Sequence, residues 1–416
     1  MTAQLISGLC EQLDASPTSF HLVDFIAKQL TAAKFLDCTD QKQISKSASN
    51  GFIRRAGSLI AWKTHAKHLD QFRIIGAHTD SPCLKVKPNP DENRFGWKTL
   101  QVEIYGSPLL NSWLDRDLGI AGRVVLRDGS VRLFHDSNPL ARISQLAIHL
   151  DRDVNEKGLV LDKHLHLSPA WATTTNATEF TDWVAEKINA KTGEVISFDA
   201  NLFDTSPAKI IGVDGSLLAS GRLDNQASCW AAISALIASQ ENQATSIVAL
   251  FDHEEVGSSS ATGAAGPFLE HTLERLAAAN DLGRVEFLQA LSQSSCVSAD
   301  NAHAVHHNYP ERHDLANAPV INQGPAIKIN SNQRYATSST SAALFVRACE
   351  SANVEYQTFV SKNNMPCGTT IGPITATRLG IDTVDVGIPQ LSMHSAREVC
   401  GVPDLISMQK ALTSYL

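Results

Sequence analysis

Five short polar segments, each at the end of an apolar run, contain the side chains of this 416-residue chain that are best suited to chemistry. They offer only His, Asp and Glu: His78 in AHTDSP, Asp224 in GRLDN, Glu254 and Glu255 in FDHEEVGS, Asp300 in VSAD, and His394 in SMHSARE. Carboxylates and imidazoles are costly to bury unless they are paired or bind a metal ion. Five such segments in one chain therefore predict a metal centre.

The donor types indicate which kind of metal centre this is. Ligands of His, Asp and Glu without Cys favour a catalytic zinc or a similar divalent ion over a closed structural zinc site. Two metals that share one bridging carboxylate use five protein ligands naturally. Glu254 is adjacent to a candidate ligand and surplus to that count, which makes it the predicted general base. Zinc is the expected metal, and cobalt or manganese fit similar ligands.

The elements around these segments predict where they meet. Apolar, strand-like runs precede four of them, whereas Asp224 comes before the helix-like segment 225–240. Ligands of open α/β sheets bind outside the carboxyl ends of the strands. We therefore expect all the candidate ligands to meet at one edge of one sheet.

The rest of the sequence predicts an α/β domain with a mostly β insertion. Residues 5–35 have helical spacing and are interrupted near Ser16 and Pro17, which predicts two helices. Residues 88–207 instead contain alternating strand patterns and turn signals. The predicted catalytic domain is therefore discontinuous, over 1–87 and 208–416, with the inserted domain between its two parts.

Composition narrows the class of protein. Hydrophobic residues make up 43% of the chain and the formal net charge is −8, without a basic cluster that could follow a phosphate backbone, so we expect no nucleic-acid partner. No segment approaches the ~18 uncharged apolar residues of a membrane helix, and the N-terminus does not resemble a signal peptide. Eight scattered cysteines without a CxxC pair indicate reduced thiols. These features predict a cytoplasmic protein that binds no membrane.

The motifs as a set resemble those of a known family. Segments AHTDSP, LDN, DHEEVGS, SADNAHAVHHNY, IKINSNQRYAT and MHSARE are similar, in order and spacing, to the signature motifs of the aspartyl aminopeptidases, a branch of the di-zinc aminopeptidases. The resemblance implies a mixed-sheet, di-zinc exopeptidase-type catalytic domain, and it makes the insertion a dimerisation domain. It also implies a large homo-oligomer, commonly a dodecamer built from dimers. The implied reaction removes an N-terminal Asp or Glu from peptides.

The resemblance also implies a role for each matching residue. His78 and Asp300 would bind one metal, Glu255 and His394 the other, and Asp224 would bridge them. Glu254 would be the general base, and Asp80 would orient the His78 imidazole. The implied substrate contacts are His149 on the inserted domain, His303, Lys328 and Tyr335. Lys328 would be the partner of an acidic substrate side chain.

Simpler interpretations of these residues remain open at this point. Asp224 could cap the helix that follows it, and Asp300 could belong to an ordinary turn. Arg397 and Glu398 could form an isolated ion pair. For the whole chain, the alternatives are a di-zinc aminopeptidase of neutral or broad specificity, and a metal-stabilised assembly or cargo protein with incidental activity.

Overall fold

The computed structural model of the chain describes residues 2–46, 48–64, 69–173, 177–240 and 244–416. Its α-helices are α1 (Thr2–Ala15), α2 (Ser19–Ala32), α3 (Val154–Lys157), α4 (Phe180–Lys187), α5 (Leu223–Ala238), α6 (Phe268–Ala279), α7 (Arg284–Ser292), α8 (Ser339–Ser351), α9 (Ile371–Leu379) and α10 (Val402–Tyr415). Short 3-10 helices span Leu110–Trp113, Ile148–Leu150, Glu254–Val256 and Pro310–Arg312. None of the helices in these ranges is long and apolar enough to cross a membrane.

The strands form three sheets. In chain order they are β1 (Leu36–Asp37), β2 (Asn50–Arg55), β3 (Ser58–Thr64), β4 (Phe72–His78), β5 (Cys83–Arg94), β6 (Trp97–Tyr105), β7 (Leu118–Leu126), β8 (Val131–Ala141), β9 (Ala170–Ala172), β10 (Val195–Asp204), β11 (Lys209–Ile211), β12 (Leu217–Ser220), β13 (Thr245–Phe251), β14 (Ser295–Ala299), β15 (Ala302–His303), β16 (Ala326–Ile329), β17 (Gln357–Val360), β18 (Asp382–Gly387), β19 (Pro389–Leu391) and β20 (Glu398–Gly401).

The largest sheet has nine strands in the order β1-β2-β3-β13-β4-β14-β18-β16-β17. Its centre is parallel, because β4 pairs in parallel with both β13 and β14. Strand β13 is buried along its whole length, and alternate residues face opposite layers of helices. Val248 and Leu250 pack in the core with α5, α8 and α10, whereas Ile247 and Phe251 pack with α6, α7 and α9. This two-sided cover explains the uninterrupted apolar sequence of the strand.

The predicted α/β alternation is confirmed in this part of the chain. The opening segment forms two helices that are separated near Pro17, and the side chain of Thr18 caps α2 by accepting a hydrogen bond from His21 N. The segment predicted as a helix over 225–240 forms α5, which begins two residues earlier, at Leu223.

A six-stranded antiparallel sheet, in the order β8-β7-β10-β5-β6-β9, has a core of its own. Phe180 and Trp183 of α4 pack into that core with residues of β5, β7 and β10. The sheet begins at Cys83, before the predicted domain boundary at 88, and ends at Asp204. Its separate role as a dimerisation domain remains a prediction.

A five-stranded sheet, in the order β11-β12-β20-β19-β15, lies beside these two. It changes one expectation from the sequence. His394 lies between β19 and β20, which belong to this small sheet, so the candidate ligands do not all lie at the edge of one sheet. Strands β19 and β20 pair antiparallel, and the connection between them places His394 beside Asp224 and Glu255.

Candidate metal centre

Three of the polar segments extend from neighbouring strands of the nine-stranded sheet. His78 is the last residue of β4, and Glu254 and Glu255 form a 3-10 turn shortly after β13. Asp300 follows β14 directly, and its N–H donates to the Val386 carbonyl of the next strand. Because β13, β4 and β14 are parallel neighbours, these side chains leave the same end of the sheet, as the sequence predicted.

Asp224 and His394 reach the same place from the small sheet. Asp224 is buried at the start of α5; its Oδ1 has no hydrogen-bond donor among the described residues and its Oδ2 faces His394, so its side chain does not cap the helix. His394 has a φ of 67°, in the left-handed region that non-glycine residues rarely adopt. Its N–H donates to Glu398 Oε1 at 2.7 Å, a contact that stabilises this conformation.

The two oxygens of Asp224 face two different groups of side chains. Asp224 Oδ1 lies 3.3 Å from His78 Nε2, which is itself 3.6 Å from Asp300 Oδ1. On the other side, Asp224 Oδ2 lies 3.4 Å from His394 Nε2, and that nitrogen is 3.3 Å from Glu255 Oε2. In each group of three, the ligand atoms lie within 4.8 Å of one another. Asp224 is therefore the common member of two candidate metal sites.

The imidazoles are oriented as metal ligands require. His78 Nδ1 donates to the Asp80 carbonyl at 3.0 Å, and His394 Nδ1 donates to the Ser107 carbonyl at 3.0 Å. A carbonyl can only accept, so each Nδ1 carries a hydrogen, and each Nε2 is the nitrogen that faces the carboxylates and could bind a metal ion. Among the described residues, Asp224 Oδ1 and Glu255 Oε1 are buried without a hydrogen-bond donor. These unpaired atoms fit a pair of divalent cations.

The electrostatics of the carboxylates agree with that fit. Burial raises the pKa of Glu255 well above its ordinary value, and the neighbouring Asp224 carboxylate raises it further. Burial also raises the pKa of Glu254 to about 8, with His78 opposing the shift and Asp300 adding to it. Without cations, Glu254 and Glu255 therefore retain their protons more readily than free carboxylates do. Cations at the centre would favour the ionised form of both side chains.

Glu254 lies beside this centre with its carboxylate unengaged. It is close enough to join a group with His78 and Glu255, yet its side chain accepts no hydrogen bond from any residue that the structure describes. Its backbone N–H donates to Asp80 Oδ1 at 3.1 Å. The loop therefore fixes the main chain of Glu254 and leaves its carboxylate available to a water molecule.

The Asp80 carboxylate accepts several hydrogen bonds in this site. It accepts from the N–H groups of Glu254 and Glu255 at 3.1 Å, and from the Tyr105 hydroxyl at 2.7 Å. Its Oδ1 also lies 3.4 Å from His78 Nδ1. Asp80 thus positions the His78 imidazole, and it fixes the loop that carries the candidate base.

Sequence reasoning missed the corresponding role of Glu398. This buried carboxylate accepts from Asp224 N at 2.9 Å and from His394 N at 2.7 Å, so it links two candidate ligands. The ion pair with Arg397 is wrong, because Arg397 donates instead to the carbonyls of Ser206 and Pro207. The sequence contains one signal for this role of Glu398, which is a carboxylate residue directly before the apolar run VCGV.

Comparison with known proteins identifies the family. A family model described as aminopeptidase I zinc metalloprotease (M18) matches residues 12–416. The chain belongs to the M18 family. It is 46% identical to "Probable M18 family aminopeptidase 2" of Streptomyces coelicolor over 413 residues, which cover 97% of this chain and 95% of that relative. A Mycobacterium tuberculosis relative of the same name is 43% identical over 422 residues, covering 98% of this chain and 97% of the relative.

Solved structures of M18 proteins have the same fold. A chain in the cryo-EM structure of the Ape4 and Nbr1 complex is 34% identical, with a TM-score of 0.94, and the match covers 100% of this chain and 86% of that chain. The S. cerevisiae mApe1 dodecamer is 27% identical, with a TM-score of 0.85, over 98% of this chain and 95% of that chain. The protein is therefore an M18 zinc aminopeptidase with an α/β, mixed-sheet fold.

The predicted substrate contacts of this M18 chain lie at different depths. Lys328 is only 2% exposed; its ammonium donates to the carbonyls of Asp300 and Asn301 and lies 3.5 Å from Asp300 Oδ2. It also lies 5.0 Å above the ring of the buried Tyr335. His303 is exposed on β15 and lies within electrostatic range of Asp224 and Lys328. His149 is exposed in the Ile148–Leu150 turn. Within the described part of one chain, no hydrogen bond or ion pair joins it to the centre.

Proposed function

We propose that this M18 zinc aminopeptidase uses two zinc ions per chain to remove one N-terminal residue, preferably Asp or Glu, from peptides. The observation that supports the two-metal centre is the Asp224 carboxylate, which faces a separate group of ligand atoms with each of its oxygens. His78 and Asp300 would complete one site, and His394 and Glu255 would complete the other. When bound, the zinc ions supply polarisation of the scissile carbonyl and a lower pKa for the attacking water.

Glu254 is the residue of the chain that would move the proton. Its unengaged carboxylate lies beside the ligand atoms of His78 and Glu255. It would accept a proton from the water as the water oxygen bonds to the scissile carbonyl carbon. It would then deliver that proton to the leaving nitrogen as the peptide C–N bond breaks. The proton count balances, so no other co-reactant is needed.

The metal centre would also select the chain end. A free N-terminal amine in its neutral form has a lone pair, and it would bind a metal ion held by these ligands. The nitrogen of an internal peptide bond has no available lone pair, so cleavage would be restricted to the first residue.

The preference for Asp or Glu rests on Lys328. This ammonium is buried 3.5 Å from the Asp300 carboxylate, and its charge is therefore poorly screened by water. A fixed positive charge at this depth favours an anionic substrate side chain over a neutral one. One observation favours the alternative, a neutral or broad specificity. Lys328 already donates to two backbone carbonyls, so fewer of its N–H groups are available to a substrate carboxylate.

Exchanging Lys328 for Met separates these specificities. We expect Lys328→Met to lower the ratio of kcat/KM for N-terminal Asp over N-terminal Leu peptides by about 10–100-fold, the equivalent of one charged hydrogen bond. The measurement is release from a matched peptide panel, with zinc content determined on the same samples. A ratio below that of the wild type would not arise from a general loss of active enzyme, since both substrates share that loss.

Lys63→Met is the matched control. Lys63 also donates to backbone carbonyls, those of Ile237 and Ser239, but it lies on β3 and is not one of the candidate site residues. It should leave the ratio unchanged. A wild-type preference for Leu would contradict the acidic specificity, and an Asp preference that survives Lys328→Met would contradict the role of Lys328. Either result would leave the zinc chemistry intact.

We also propose a large homo-oligomer in which His149 contacts the substrate of a neighbouring subunit. His149 is exposed, and apolar residues around it, Leu146, Ile148 and Leu150, are 64%, 46% and 74% exposed. Light scattering should give the mass of about twelve 45.0-kDa chains, as in the mApe1 dodecamer. In that assembly His149→Ala should lower kcat/KM without changing the mass. A monomeric, fully active enzyme would contradict this proposal.

A further inference from the structure

We infer that the segment Tyr105–Ser107, which leaves the six-stranded sheet, positions the metal centre, with Tyr105 acting through Asp80 on the zinc ligands and on Glu254. The inference rests on the proposed function, because it assumes that His78, Glu254 and Glu255 form the centre. It gives the inserted sheet a role inside the active site of its own chain, in addition to any role in assembly.

The first contact is made by the Tyr105 hydroxyl. Tyr105 is the last residue of β6, and its hydroxyl donates to Asp80 Oδ2 at 2.7 Å. The same oxygen accepts from Glu255 N, and the other oxygen accepts from Glu254 N. Tyr105 is thus one of three donors that define the rotation of a single carboxylate. That carboxylate in turn positions a candidate ligand and the candidate base.

The second contact follows two residues later. The Ser107 carbonyl accepts from His394 Nδ1 at 3.0 Å, and Leu109 N donates to the His394 carbonyl at 2.9 Å. Gly106 lies between the two contacts with a φ of 69°, and a Cβ there would lie 3.2 Å from Glu255 Cβ. One short segment therefore contacts His394 directly and reaches His78 on the other side of Asp224 through Asp80.

Loss of the hydroxyl should loosen the centre without disturbing the core. Phenylalanine keeps the ring of residue 105, but Asp80 Oδ2 would retain only the Glu255 N–H as a donor. A carboxylate with a missing donor can rotate, and its rotation would misalign His78 and the loop of Glu254. Outer partners of metal ligands typically change metal affinity or activity by about 10–100-fold.

The test compares Tyr105→Phe with Tyr415→Phe. Tyr415 is buried, whereas Tyr105 is half-buried, and the Tyr415 hydroxyl likewise makes a 2.8 Å hydrogen bond, in this case with Ser295 on β14. It therefore reports the cost of losing a hydrogen-bonded hydroxyl elsewhere. Zinc retention is measured by competition with a chromogenic chelator, and kcat is measured with saturating zinc. We expect Tyr105→Phe to release zinc at least about tenfold more readily, while Tyr415→Phe retains zinc like the wild type.

A double-mutant cycle with Asp80→Asn tests the route of the effect. If Tyr105 acts through Asp80, Tyr105→Phe should add less than about twofold to the zinc loss of Asp80→Asn. Wild-type zinc retention in Tyr105→Phe, or an effect that persists in full beside Asp80→Asn, would overturn the inference. A wild-type chain that binds zinc but releases no residue would refute only the proposed function, since zinc retention still decides the role of Tyr105.

Discussion

Replacing Glu254 with Gln should lower kcat for release of the N-terminal residue by about 10²–10⁴-fold, while the chain keeps its zinc. The amide has nearly the shape of the carboxylate but cannot accept the proton of the attacking water. Because Glu254 is surplus to the two groups that share Asp224, zinc stoichiometry should not change. Steady-state rates and zinc content, measured on one preparation, check both halves of this result.

Glu270→Gln provides the control for the charge change. Glu270 lies on α6, is half-buried and pairs with Arg378 at 3.3 Å, so the substitution removes a comparable charge outside the candidate centre. It should leave kcat within about twofold, as surface substitutions usually change stability only slightly. If Glu254→Gln retained zinc and turned over at a similar rate, the proton acceptor would have to be another group.

Replacing Asp224 with Asn should reduce the zinc content below two ions per chain and abolish most of the activity. Both zinc sites depend on this side chain, since one oxygen faces His78 and the other faces His394. An amide offers only one oxygen and carries no charge, so at least one site loses a ligand. Loss of a residue that only hydrogen-bonds a metal ligand lowers metal affinity by about 10–100-fold, and the zinc affinity of Asp224→Asn should fall by more than that. Metal analysis after dialysis against a weak chelator measures the change.

Asp404→Asn is the matched control for Asp224. Asp404 is equally buried, but it accepts from the backbone of Asn322 and Gly324 and is not part of either candidate group. We expect it to lower thermal stability while the zinc content stays at two. Two tightly held zinc ions in Asp224→Asn would show that the bridging assignment is incorrect.

The strand ends of the centre could be predicted from the sequence because their information is local. An apolar run that stops at His78, or just before Asp300, indicates both the strand and the side at which the polar residue emerges. Parallel pairing of these strands then brings the residues together. The same reasoning assigned His394 to that sheet edge, incorrectly, because a short strand of the small sheet has the same local pattern.

The long-range contacts of the supporting residues could not be predicted, because their partners are distant in the sequence. Tyr105 and Asp80 meet across the junction of two sheets, and Glu398 reaches the backbone of Asp224 through the pairing of β12 with β20. The contacts of Lys328 could not be predicted either, since nothing in the sequence around it indicates that its ammonium donates to the carbonyls of Asp300 and Asn301. Such contacts follow from sheet order and register, which a local pattern does not contain.

The most direct test of the two-metal centre is anomalous diffraction at the zinc edge from crystals of the zinc-loaded enzyme. Two peaks are expected, about 3.5–4 Å apart, with the Asp224 carboxylate between them. One should lie beside His78 and Asp300, and the other beside His394 and Glu255. A single peak at full zinc loading, or two peaks that do not share Asp224, would contradict the account.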